Sequence, residues 1–145
     1  PQNIVVPVGT AYQDIIDFAG VKGELGKVVA GGAMMGPAVE NLSYPTTKTT
    51  SGLIMLSAAA AEPPQVNPCI RCGRCVEYCP MGLEPVEVNQ AYAARDVQEL
   101  GKLHVDYCFN CGSCTFVCPA KRPCTQMMGL AKAFYLGEIK KGGNK

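Results

Sequence analysis

Apolar positions recur in two different rhythms along this chain. Through residue 57 the apolar runs are short: Ile4-Val5-Val6-Pro7-Val8, Lys27-Val28-Val29-Ala30 and Leu53-Ile54-Met55-Leu56 each predict a strand. The first belongs at an edge or a strand end, because Pro7 cannot donate to a ladder, and the last reads as buried. Between the first two, Tyr12, Ile15, Ile16 and Ala19 recur at helical spacing. Thr10-Ala11-Tyr12-Gln13 fits a capping box and Gly20 a stop, so a helix is predicted over 10–19. Gly31-Gly32-Ala33-Met34-Met35-Gly36 reads as a tight turn whose methionines fill a core gap. It lacks the strand-to-helix G-x-G-x-x-G setting of a nucleotide site.

From residue 69 onward the pattern is mostly helical. Pro85 suits a first helical turn, with good helix formers through Ala94; Asp96 caps a short helix that stops at Gly101. Thr125 to Lys141 carries an apolar stripe of Met128, Ala131, Phe134, Tyr135 and Ile139. Separating the two halves is Glu62-Pro63-Pro64-Gln65-Val66-Asn67-Pro68, a stiff connector. The fold class is therefore α+β: a small, incomplete β-grasp-like domain at 1–60, a Pro-rich linker at 61–68 and a mainly helical domain at 69–145. The opening hairpin strand of a β-grasp would lie upstream of Pro1, and the chain reads as a fragment of a longer protein.

Composition changes little in this picture. With 145 residues, 48% apolar, 17% charged and a net charge of +1, the chain has room for two small domains and no pull toward nucleic acid. The basic excess at 130–145 reads as a solvated helix end whose lysines favour the negative pole of the dipole. Leu53 to Ala61, the longest nearly apolar stretch, falls far short of the roughly 20 residues a membrane helix needs.

Cysteine decides the chemistry. Eight of the nine fall in two runs, Cys69-Ile-Arg-Cys72-Gly-Arg-Cys75-Val-Glu-Tyr-Cys79-Pro80 and Cys108-Phe-Asn-Cys111-Gly-Ser-Cys114-Thr-Phe-Val-Cys118-Pro119. No charged-then-apolar leader precedes them, so a reducing cytoplasmic setting fits better than a disulfide framework. Each run is the C-x2-C-x2-C-x3-C-P pattern in which three thiolates hold one 4Fe-4S cube and the fourth reaches the other. Cluster one is then assigned Cys69, Cys72, Cys75 and Cys118, and cluster two Cys108, Cys111, Cys114 and Cys79. Zinc sites use paired C-x2-C motifs and do not require this order. Gly73 and Gly112 let backbone N–H groups turn toward cluster sulfurs, and Ile70, Phe109, Val76 and Val117 are placed to exclude water. Cys124 is expected as a buried free thiol at a helix start, and His104 as a helix-end or surface residue. Arg71, Arg74, Lys121 and Arg122 flank the ligands, where offsetting cluster charge, docking an acidic carrier and simple solvation all remain open. The 28 residues between Cys79 and Cys108 exceed the need of a compact ferredoxin and point to a helical module of a larger redox protein.

Val6-Pro7-Val8-Gly9-Thr10, Gly31-Gly32-Ala33-Met34-Met35-Gly36, Lys48-Thr49-Thr50-Ser51-Gly52, both cysteine runs and Cys118-Pro119-Ala120-Lys121-Arg122-Pro123 resemble, in order, the C-terminal half of the RnfC component of Rnf electron-transport complexes. Ala33 stands where that family usually has proline, and Cys124 where it usually has an aliphatic residue. The resemblance implies a soluble-ligand-binding β-grasp (SLBB) domain followed by a two-cluster domain, in a peripheral subunit on the cytoplasmic face of the membrane. It also implies electron transfer between NADH and ferredoxin, coupled to sodium or proton transport, with FMN and NADH bound on a preceding domain that is not in this sequence. On that reading the fragment is an electron carrier within an oxidoreductase, with no catalytic residue of its own. Its partners would be the other complex subunits and ferredoxin. Competing readings are a related cobalamin reductase of propanediol-utilisation compartments, the iron–sulfur subunit of a soluble flavin dehydrogenase, and a binding module at 1–60. Against the last, no cluster of polar or aromatic residues in 1–60 is expected to form a pocket.

Overall fold

The computed structural model describes residues 1–142, so the last three positions of the predicted helical domain and of its basic end lie outside the described residues. The chain folds as two compact units, one spanning Pro1–Pro63 and the other beginning at Pro64.

In the first unit, helix α1 (Tyr12–Ala19) precedes two antiparallel strands, β1 (Leu25–Ala30) and β2 (Leu53–Ser57), and a one-turn helix α2 (Ala58–Ala61). Tyr12 and Ile16 form the buried stripe of α1, and Gly20 ends it in the left-handed region at φ 65°, its N–H donating to Asp17 O. The capping box does not form. The Tyr12 and Gln13 N–H groups donate instead to Tyr44 O (3.1 Å) and Leu42 O (2.9 Å), so the loop satisfies the helix start and Thr10 Oγ1 turns to Pro7 O (2.9 Å). The expected strand at Ile4–Val8 is absent: no described residue forms a ladder with it, and Val5 is fully exposed. In β1, Val28 and Val29 are both buried, so both faces of that strand are covered. β2 is half-buried rather than buried.

The glycine–methionine turn holds a second correction. Met34 and Met35 are exposed and fill no core gap; the tightness comes from the backbone around Gly36 and from the Val29 side chain. A Cβ on Gly36 would lie 2.6 Å from Ala30 O and 2.7 Å from Gly32 O, both backbone atoms that cannot swing aside. Gly36→Ala is therefore expected to destabilise the first unit by about 1–3 kcal/mol, the range of an overpacked site. Thermal unfolding checks this, and an unchanged midpoint would show that the turn relaxes freely.

In the second unit, one-turn helices α3 (Arg74–Glu77) and α6 (Ser113–Phe116) contain the third cysteine of each run. Longer helices α4 (Pro85–Ala93), α5 (Val97–Lys102) and α7 (Cys124–Gly142) and a 3-10 turn at Val105–Tyr107 make the rest. Asp96 caps α5 by accepting from Glu99 N at 2.9 Å, and the helix runs one residue past Gly101. Leu83, Val88, Ala91, Leu100, Val105, Met128 and Ala131 form one core, against which Cys79 and Cys108 pack. The long spacer thus builds an apolar floor beneath two of the candidate ligands. Of the stripe on α7, Met128 and Ala131 are buried and Phe134 and Tyr135 half-buried, while Ile139 is exposed. Phe134 meets Tyr92 edge-on at 5.8 Å, and Arg95 lies over both rings at 4.9 and 4.6 Å. Among the described residues, no helix is long and apolar enough to cross a membrane.

Candidate iron–sulfur centres

The two cysteine runs fold alike. Each has a left-handed residue before its second cysteine (Arg71 at φ 53°, Asn110 at φ 57°) and a left-handed glycine after it (Gly73 at 77°, Gly112 at 89°). After the fourth cysteine, Gly82 (65°) and Lys121 (55°) again occupy matching left-handed positions. This alternation curls the backbone so that closely spaced thiols face one space. The Gly73 and Gly112 conformations start α3 and α6 with a sharp bend that side chains resist.

Two cavities result. The first, of about 270 Å³, is lined by Cys69, Cys72, Cys75 and Cys118. The second, about 20 Å³, is lined by Cys79, Cys108, Cys111 and Cys114. Each therefore takes three thiols from one run and the fourth from the other, the exchange expected from the spacing. Among the described residues, no three His, Cys, Asp or Glu side chains converge where a single metal ion would sit. Four thiols set around a space fit a cube with a ligand at each iron corner. For the smaller cavity this fit rests on its four thiols and uncharged lining, not on its room.

The surroundings supply further contacts. Arg71 N donates to Cys69 Sγ at 3.5 Å and Leu83 N to Cys79 Sγ at 3.3 Å, backbone donors of the kind that tune metal-bound sulfur. Asn110 Oδ1 lies 3.5 Å from Cys108 Sγ and Ser113 Oγ 3.4 Å from Cys111 Sγ. Thr115 Oγ1 accepts from Thr125 N at 2.8 Å, capping the start of α7 from another element, and Lys132 Nζ donates to Cys108 O at 2.7 Å. The roles of Thr115, Thr125 and Lys132 were invisible in the sequence, because each depends on a contact ten or more residues away; Asn110 and Ser113 could have been suspected from lying between ligand positions. Burial pushes the Cys75 thiol up, with Cys114, Cys118 and Cys69 adding to it; burial also raises Cys114, against the lowering effect of the Thr125 hydroxyl. Those protons must leave when metal binds. The proposed water shields fail in part: Ile70, Phe109 and Val76 are exposed, and only Val117 is half-buried.

A family model for the 4Fe-4S dicluster domain matches residues 68–121. The C subunit of the ion-translocating oxidoreductase complex of Rhodobacter capsulatus is 39% identical over 104 residues, 71% of this chain and 20% of that protein. The C subunit of the proton-translocating ferredoxin:NAD(+) oxidoreductase complex of Clostridium ljungdahlii is 45% identical over 86 residues, 59% and 19% respectively. The Na(+)-translocating counterpart from Acetobacterium woodii is 37% identical over 98 residues, 67% and 22%. The chain is a homologue of part of RnfC. It spans about a fifth of the length of these relatives.

In this RnfC homologue, Cys124 is buried as expected, at the first turn of α7, but it is no remote packing residue. It shares a cluster with Cys75 and Cys114 and lines the larger cavity beside Cys118. Its thiol is pushed up to about 12, by burial first and then by Cys118, Cys114 and Cys75. Since each cavity has four thiols without Cys124, Cys124→Ala is expected to leave iron content unchanged. Iron analysis after anaerobic reconstitution checks this, and loss of about four irons would make Cys124 a ligand. His104 is exposed in a left-handed conformation, stacked on Tyr107 at 5.2 Å, and lines neither thiol cavity.

The first unit corrects one expectation. A cavity of about 860 Å³ does exist there, with Ile4, Val6, Ile15 and Leu53 on its apolar side and Thr47 and Lys48 on its polar side. Among the described residues, no aromatic or acidic side chain lines it.

Proposed function

We propose that this chain is an electron-relay segment of an Rnf-type ferredoxin:NAD oxidoreductase, holding two 4Fe-4S clusters through Cys69, Cys72, Cys75 and Cys118 and through Cys108, Cys111, Cys114 and Cys79. The observation that carries this reading is the pair of cavities, each lined by three cysteines of one run and the fourth of the other, with Cys124 also on the wall of the larger. A bound cluster supplies a one-electron couple. The protein's part is to hold two such centres side by side: Cys75, Cys114 and Cys118, which come from both sets, pack together around Cys124. Relatives named as subunits of ion-translocating complexes support the assignment to a larger assembly.

In this reading residues 1–60 form an SLBB-type β-grasp domain joined through 61–68 to the two-cluster domain at 69–145. Flavin and nicotinamide belong to other parts of the full-length protein, and contact with the cytoplasmic face of the membrane is made through partner subunits. Anaerobic reconstitution tests the relay: about eight irons and eight sulfides per chain are expected, with two reducible, magnetically interacting spins by electron paramagnetic resonance. Four irons, or a single isolated spin, would refute the two-cluster relay.

A further inference from the structure

The two centres are alike in backbone but not in charge. Superposing one run on the other by its cysteines pairs Arg71 with Asn110, Arg74 with Ser113 and Arg122 with Leu83. All three arginines line the cavity of Cys69, Cys72, Cys75 and Cys118, and among the described residues no acidic side chain does; the other cavity has no charged residue in its described lining. Asn110 and Ser113 turn onto the thiols beside them, whereas among the described residues none of the three arginine side chains makes a hydrogen bond or ion pair. Arg71 also holds a left-handed conformation that favours Asn or Gly, so an arginine stands there against local preference. Accessibility follows the same split. Cys69 and Cys72 are exposed, and Ile70 between them is 69% exposed, whereas Cys108 and Cys111 are only half-exposed.

We propose that Arg71, Arg74 and Arg122, around the exposed Ile70, form the docking face through which an acidic protein carrying a one-electron centre exchanges electrons with the cluster held by Cys69, Cys72, Cys75 and Cys118. An apolar residue sharing a cavity wall with cations that have no partner among the described residues suits a small, transient electron-transfer interface, in which charge sets the encounter rate and the apolar centre excludes water. An electron passed inward leaves the partner's carrier oxidised by one electron and this centre reduced by one, with no bond made or broken. Guanidinium groups next to the thiols also lower the repulsion that an acidic partner would meet from a negatively charged cluster. The inference rests on the two-cluster reading above.

The test uses the full chain, loaded anaerobically and accepted only with about eight irons. A shortfall in the unmodified chain defeats the cluster reading itself and is thus separate from any failure of docking. Stopped-flow reduction by a reduced acidic two-cluster ferredoxin is followed over a range of salt concentrations, and oxidation of the reduced chain by an oxidised basic c-type cytochrome is the opposite-charge control. In the combined Arg71→Asn, Arg74→Ser, Arg122→Gln variant, reduction by the acidic probe at low salt is expected to slow about tenfold and to lose most of its salt dependence. The corresponding triple lysine variant is expected to stay within about threefold of the parent. If the neutral triple variant does not load, Arg74→Ser and Arg122→Gln singly are each expected to slow the reaction about twofold.

Unchanged rates in the neutral variants overturn the proposal, as does an equal loss in the lysine variant. Equal slowing with the basic cytochrome, or slowing accounted for by a shifted midpoint potential, would reduce the arginines to tuning the cluster. Self-association abolished by the neutral variant, or binding to anionic vesicles with no effect on the ferredoxin rate, would assign the face to a second copy or to lipid and also overturn it.

Discussion

Cys118→Ala is expected to remove the cluster bound to Cys69, Cys72 and Cys75, although Cys118 lies in the other run, and to leave the second cluster in place. Iron should fall from about eight to about four per chain, and the magnetic interaction between the two spins should vanish. Cys79→Ala should do the converse, removing the cluster bound to Cys108, Cys111 and Cys114. The two single-cluster variants should differ in spectrum, since one retains the arginine-lined centre and the other the centre whose described lining carries no charge. The expectation follows from the linings of the two cavities, in which each fourth thiol has crossed between runs. A chain that kept Cys118 with Cys108, Cys111 and Cys114 would lose the opposite cluster in each variant. Loss of both clusters from either substitution would mean instead that one centre holds the fold for the other.

The second large effect lies beneath the ligands. Leu100 and Met128 are buried to within 1% of their surface at the centre of the core on which Cys79 and Cys108 rest. Leu100→Ala should cost about 2–5 kcal/mol, the range for a truncated core leucine that leaves a cavity. Set against a total of about 5–15 kcal/mol for a domain, that is a large share, so the loaded chain should unfold roughly 10 °C lower and lose iron faster. Leu130→Ala, at a half-exposed position of α7, is the control and should change little. If the two variants unfold together, the helical spacer does not support the centres.

Both effects involve residues whose importance was legible to different degrees in the sequence. The eight candidate ligand positions could be read because a cube imposes close, repeated spacing, and the spacing survives without any tertiary knowledge. Helices α4, α5 and α7 were legible from capping residues and apolar period, with errors of one or two residues at their ends. The first unit was less so. Ile4–Val8 has the composition of a strand but no ladder partner among the described residues, and strand propensity acts only where a neighbour supplies hydrogen bonds. Thr10-Ala-Tyr-Gln13 has the residues of a capping box, yet carbonyls of Leu42 and Tyr44 reach the same donors. Met34 and Met35 look like core residues by type and are surface residues by position.

Sequence alone determined that this chain carries two four-cysteine runs and the family they resemble, because the spacing of candidate thiolate ligands is written locally. Tertiary structure alone decided what surrounds each set. It placed Thr115, Thr125 and Lys132 where they tie α7 to the ligand loops. It put Cys124 between thiols of both sets. It set three arginines, without partners among the described residues, around one cavity and a neutral, more buried wall around the other. Burial and charge depend on residues distant in the chain, so the chemical inequality of two nearly identical motifs emerges only when the chain is folded.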